Sequence, residues 1–74
     1  MKEKVIDIIS KITRLDSSEL EKNIDKEYLW DSFSHIELII EIESEFKVRF
    51  TPEEITAARS ISVILKMLSK KVNI

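Results

Sequence analysis

The chain contains no glycine and a single proline, Pro52, in 74 residues. Tight two-residue hairpins need backbone at positive φ, which glycine supplies at least cost, so a sheet of short antiparallel strands is a poor solution for this chain. Helices joined by longer connections remain, and the expected class is all-α. At this length a chain buries only about 60% of its unfolded surface, which allows one small core and a single domain over residues 1–74. Cysteine is absent. The core therefore has no disulfide or thiolate metal site to reinforce it, and the lone His35 among scattered carboxylates lacks metal-ligand spacing.

Charges at Lys2, Glu3, Lys4 and Asp7 interrupt the apolar run that a signal peptide requires, and no stretch is long enough to span a bilayer. A cytoplasmic, monomeric protein without membrane insertion is expected. The net charge of −2 is unevenly spread: residues 31–54 hold seven acids against Lys47 and Arg49, whereas residues 55–74 hold four bases and no acid. That basic tail, Arg59, Lys66, Lys70 and Lys71, has no interleaved aromatic. It reads as a solvated helix face with cations near a helix C-terminus, and nucleic acid is not an expected partner.

Val5, Ile8, Ile9, Ile12 and Leu15 fall at helical spacing and predict a first helix over residues 2–15. Residues 16–30 mix polar residues with isolated Leu20, Ile24, Leu29 and Trp30, which suits a long connection pinned to the core, part of it a short turn of helix. A second helix is expected from Ser32 to Phe46, with Asp31 or Ser32 as its cap. The alternation in Lys47-Val48-Arg49-Phe50 predicts an extended link with Val48 and Phe50 turned inward. Thr51-Pro52-Glu53-Glu54 combines a cap, a proline at the first helical position and a glutamate three residues on, announcing a short third helix. Ser60 opens a last helix striped by Ile61, Ile64, Leu65, Leu68 and Val72, with Val63 beside it and Met67 as core filler. Three main helices and a short one make an antiparallel bundle.

The second helix carries two apolar faces. Leu38, Ile39, Ile42 and Phe46 cluster on one side, while Phe33, Ile36 and Ile40 form a separate stripe nearly opposite, flanked by Glu43 on one side and by Glu37 and Ser44 on the other. So small a bundle cannot easily bury both, and an exposed apolar strip rimmed by carboxylates reads as a docking surface for basic, apolar partners. The competing possibility is that Phe33 folds beneath the first connection and the third helix covers Ile36 and Ile40. Glu37, Glu41 and Glu45 are repulsive neighbours one turn apart, which favours a role in binding.

Asp31-Ser32-Phe33 at the head of this helix, followed by Glu37-Leu38 and Glu43-Ser44-Glu45-Phe46, resembles the acyl carrier protein family. The likeness continues through Thr51-Pro52-Glu53-Glu54 and Ser60-Ile61-Ser62-Val63 and covers residues 29–70 well. It implies an acyl-carrier-like four-helix bundle in which Ser32 accepts phosphopantetheine from coenzyme A through a separate phosphopantetheinyl transferase, giving a phosphoprotein. The resulting arm would carry an acyl or aminoacyl group as a thioester and present it to loading and processing enzymes. By the same resemblance Asp31 would help engage the transferase, and Phe33, Ile36, Glu37, Ile40 and Glu43 would form the recognition face. A serine at a helix N-terminus suits this role, since free N–H groups and the positive end of the helix dipole favour a phosphodiester.

The chain departs from the family pattern at Leu29-Trp30, where glycine is frequent before the Asp-Ser pair, at Ser34-His35, and at Lys47, where glycine often ends the helix. Phe33 in place of leucine and the modest net charge resemble specialised or D-alanyl-type stand-alone carriers more than the carrier of primary fatty acid synthesis. Trp30 is either a plug over the bundle end or a contact for the arm and cargo, with the plug favoured. Ser32 and His35 could be imagined as nucleophile and base, but no oxyanion-hole motif accompanies them, and a half-buried, hydrogen-bonded His35 on the core side is expected instead. An enzyme is not expected. The rival class is an unmodified carrier-like interaction module docking through the second helix.

Overall fold

The structure, a computed structural model, describes residues 1–72. Among the described residues there are five helices: α1 (Lys2–Thr13), α2 (Ser17–Lys22), α3 (Ser32–Phe46), α4 (Pro52–Ala57) and α5 (Ile61–Lys71). The three long ones and the short one before α5 fall where the hydrophobic pattern puts them. α2 is the turn of helix within the first long connection. Its cap residue Asp16 is extended and accepts a hydrogen bond from Ser18 Oγ at 2.9 Å, and its Leu20 is wholly buried.

The first helix is shorter than its periodicity predicts. Arg14 turns left-handed at φ 65°, and Thr13 Oγ1 donates to the Ile9 carbonyl at 2.7 Å while accepting the Leu15 N–H at 3.2 Å. The apolar spacing continues through Leu15, but these local bonds end the helix and leave Leu15 36% exposed. With no glycine available, Arg14, Tyr28 and Lys47 occupy the left-handed region themselves, at φ 65°, 61° and 56°. Lys47 thus ends α3 in the conformation that glycine would adopt most easily, and the N–H of Val48 returns to the Glu43 carbonyl at 3.1 Å.

α1 packs against α3, α2 and α5. Val5, Ile6 and Ile9 of α1 meet Leu38, Ile39 and Ile42 of α3 and Ile61, Ile64 and Leu68 of α5 in one cluster, completed by Leu20, Phe50 and Ala58. Met67 and Val48 lie partly buried against it, and Phe50 is buried, as the alternation predicts.

Caps set where the later helices begin. Thr51 and Glu54 form a reciprocal capping box at 3.1 and 2.9 Å, and Lys71 Nζ reaches Glu54 Oε1 at 2.8 Å, joining α4 to the end of α5. Ser60, itself buried, caps α5 through the Val63 N–H. The long connection is held to this region by two backbone bonds, Ser62 N–H to the Ile24 carbonyl at 2.9 Å and Tyr28 N–H to the Arg59 carbonyl at 3.2 Å. They bring residues 24–30 beside the α4–α5 junction, next to the start of α3.

Candidate functional site

Ser32 is the first residue of α3 and is exposed. Asp31 caps the helix, its Oδ1 accepting the Ser34 N–H at 2.8 Å. That bond holds the Asp31 carboxyl below its ordinary value of 3.8, with burial a minor opposing effect, so the cap is anionic at neutral pH. Because Asp31 takes on the capping duty, the Ser32 hydroxyl has no hydrogen-bond partner among the described residues. It stands at the positive end of α3, where the first N–H groups of a helix have no acceptor within it.

The two faces of α3 separate as their spacing predicts. Leu38, Ile39 and Ile42 enter the core, whereas Phe33 is 75%, Ile36 49% and Ile40 58% exposed. Neither the connection nor α4 covers this stripe. Glu37 and Glu41 are exposed beside it, and Glu45 turns to α1, where Lys4 Nζ lies 2.7 Å from Oε2. Glu43 differs from its neighbours: it is half-buried, and its Oε2 accepts the Phe50 N–H at 2.7 Å. Sequence spacing places Glu43 on the rim of the stripe; the structure also makes it a brace for the link that carries Phe50 into the core.

His35 lies on the inner side of α3, half-buried. Trp30 Nε1–H donates to its Nδ1 at 3.0 Å, and its Nε2 lies 2.8 Å from the Ile55 carbonyl. An indole nitrogen can only donate, so Nδ1 accepts and Nε2 carries the proton toward the carbonyl: the ring is the neutral Nε2–H tautomer. The Trp30 and His35 rings also stack, their planes 16° apart. With both ring nitrogens engaged, His35 fastens α4 and the connection to α3 and is not free to serve Ser32 as a base.

Beside Ser32 opens a cleft of about 310 Å³ between the head of α3, the connection and α4. Trp30, His35, Ile36 and Ile55 form its apolar body, and Asp31, Ser32, Thr56, Tyr28 and Arg59 its rim. Trp30 packs partly buried against the core and also forms a wall of this cleft. Tyr28, Ile55, Thr56 and Arg59 are not singled out as site residues by spacing, because only the Tyr28–Arg59 backbone bond and the His35–Ile55 bond bring them here. Arg59, read from sequence as one cation of a solvated helix face, instead precedes α5 and lines the cleft.

The described residues include no helix long and apolar enough to cross a membrane. A family model described as a phosphopantetheine attachment site matches residues 3–68. No curated protein matches the chain.

Proposed function

The chain belongs to the phosphopantetheine attachment-site family, whose members carry that group covalently, and from this premise we propose that it is a carrier protein modified at Ser32. The observation that carries the reading is the Ser32 hydroxyl: exposed, unpartnered among the described residues, and set at the N-terminus of the helix that also bears the exposed apolar stripe. The residues fit the group. A phosphodiester on Ser32 would be favoured by the free N–H groups and dipole of α3, and the hydroxyl is given up at no structural cost because Asp31, not Ser32, caps the helix.

In this reading a separate transferase supplies the base and the coenzyme A, and the chain contributes the acceptor oxygen and the surface that positions it. Once attached, the arm supplies a thiol that holds acyl or aminoacyl cargo as a thioester. The chain itself then acts through position, because tethering raises the effective concentration of the cargo at whichever enzyme docks. Phe33, Ile36 and Ile40 form the apolar centre of the docking face, with Asp31, Glu37 and the remaining oxygen of Glu43 as its acidic rim. A charged rim steers basic partners to the strip and suits brief encounters. The chain is thus a non-catalytic, monomeric carrier that works among soluble enzymes, of the specialised stand-alone type suggested by Phe33.

Incubation with coenzyme A and a broad-specificity transferase, followed by intact mass measurement, tests this directly. The expected result is a gain of one phosphopantetheine, absent in Ser32→Ala. An unmodified wild-type chain, or a Ser32→Ala variant that still gains the mass, would reject it and leave the unmodified interaction module as the better description.

A further inference from the structure

We propose that Arg59, seated on Tyr28, is an anion-recognising corner of the cleft and selects tethered cargo that bears a carboxylate. The inference rests on the carrier reading and adds a substrate class to it. The Arg59 guanidinium carbon lies 5.9 Å from the centroid of the Tyr28 ring, and the Tyr28 N–H donates to the Arg59 carbonyl at 3.2 Å. The two residues are thereby held together through both backbone and side chain.

Tyr28 adopts φ 61°, a left-handed conformation shared among the described residues with Arg14 and Lys47, and the residue is 70% exposed, so its side chain is displayed beside the cleft rather than packed into the core. Among the described residues Lys2, Lys4 and Lys71 have carboxylate partners; of the remaining lysines and arginines, Arg59 alone lines the cleft beside Ser32. No carboxylate oxygen lies within 4.0 Å of the Arg59 guanidinium among the described residues. The only acid of the cleft, Asp31, directs Oδ1 at the Ser34 N–H.

The cleft therefore combines an apolar body (Trp30, Ile36, Ile55) with an unpaired, planar cation at its rim, and Ser32 lines the same space. This complementarity fits a short apolar group ending in an anion. A volume of about 310 Å³ is at the lower limit of ligand clefts, which run from about 300 to 1,000 Å³, and matches a short group better than a long hydrocarbon chain. The arm's own phosphodiester is a second possible anion. It would sit on an exposed serine already served by the head of α3, which favours the cargo as the guanidinium's partner.

The test uses the whole chain, loaded at Ser32 from coenzyme A carrying a free thiol, butyryl or succinyl, the last two being equal in carbon count but differing in charge. The readouts are thioester cleavage by hydroxylamine, followed by intact mass, and the Arg59 Nε–H resonance. Because the free carboxylate of a succinyl thioester can expel the thiol through the cyclic anhydride, each cargo is compared with itself between the wild type and Arg59→Gln. Succinyl cargo is expected to be cleaved about two- to fivefold more slowly in the wild type than in Arg59→Gln, the size of an ion pair near a surface, with the difference shrinking at high salt, whereas butyryl cargo should be cleaved at the same rate in both. Arg59→Lys should retain part of the protection, and the Arg59 resonance should move only with succinyl. Equal succinyl cleavage rates in the wild type and Arg59→Gln overturn the proposal, as does a resonance that already moves to its final position with the free thiol, which would assign the guanidinium to the phosphodiester. Loading that succeeds without charge discrimination leaves the carrier reading standing, whereas failure to load at Ser32 removes both.

Discussion

Ile39 and Ile40 are consecutive on α3, identical in chemistry and opposite in environment: 1% exposed against 58%. Truncating each to alanine isolates the two faces of the helix. Ile39→Ala opens a cavity where α3 meets the core and should cost about 2–5 kcal/mol. A chain of 74 residues has a total stability of about 4–11 kcal/mol at ordinary per-residue values. The melting temperature of a domain this size falls by about 4–8 °C per kcal/mol, so a drop of about 10 °C or more is expected. Ile39→Val, at about 0.5–1.5 kcal/mol, gives a graded version should the alanine variant fail to fold. Ile40 buries somewhat less than half of its side chain, worth about 0.6–1.2 kcal/mol. Alanine recovers a few tenths of that, about 0.4 kcal/mol, through its better helix propensity. Its melting temperature should therefore shift by only about 5 °C or less. The rate of arm transfer should show the reverse order, with Ile40→Ala reducing kcat/KM and Ile39→Val leaving it unchanged. Thermal melts by circular dichroism and transferase kinetics read the two effects separately. Comparable losses of stability at both positions would refute the division of α3 into a core face and a docking face.

On the same face, Ile36→Arg and Glu37→Lys should weaken arm transfer while leaving the melting temperature within a few degrees; a collapse of stability in Ile36→Arg would show that its stripe is core. Glu43→Ala should cost about 1–2 kcal/mol by leaving the half-buried Phe50 N–H without its acceptor, against a negligible effect for the exposed Glu41→Ala, measured by urea unfolding. Asp31→Asn tests the cap: because the Ser34 N–H lowers the Asp31 carboxyl in the folded state, its contribution is present above the ordinary value of 3.8 and is lost as pH falls through the folded value. Asparagine keeps the acceptor without the titration, so the variant should lose stability less steeply below pH 3.8. An unchanged acid limb would show that the Asp31 bond is not formed in solution.

Much of the site was legible before any coordinates. Asp31-Ser32 heading a striped helix, the capping box at Thr51 and Glu54, and the opposed stripes of α3 are local patterns. Each depends on residues within a few turns of one another, and helical periodicity converts their spacing directly into faces. The end of α1 was less legible. Leu15 continues the apolar period, yet side-chain bonds from Ser10 and Thr13 to the backbone at Leu15 close the helix first. Hydrophobic spacing does not register that competition.

The primary structure alone determined the helical class, the second apolar stripe of α3 and the serine at a helix head, because each is set by short-range geometry and by the absence of glycine; that the stripe stays uncovered was decided by the packing. Tertiary packing alone decided what stands opposite that serine. His35 meets the Ile55 carbonyl across 20 positions of chain. The Tyr28 N–H likewise finds the Arg59 carbonyl only after the connection has folded back. The walls of the cleft are thus built from long-range hydrogen bonds between residues whose own neighbours carry no periodic signal. A pairing of that kind acquires its energy only when the core has formed, and so leaves no trace in local spacing.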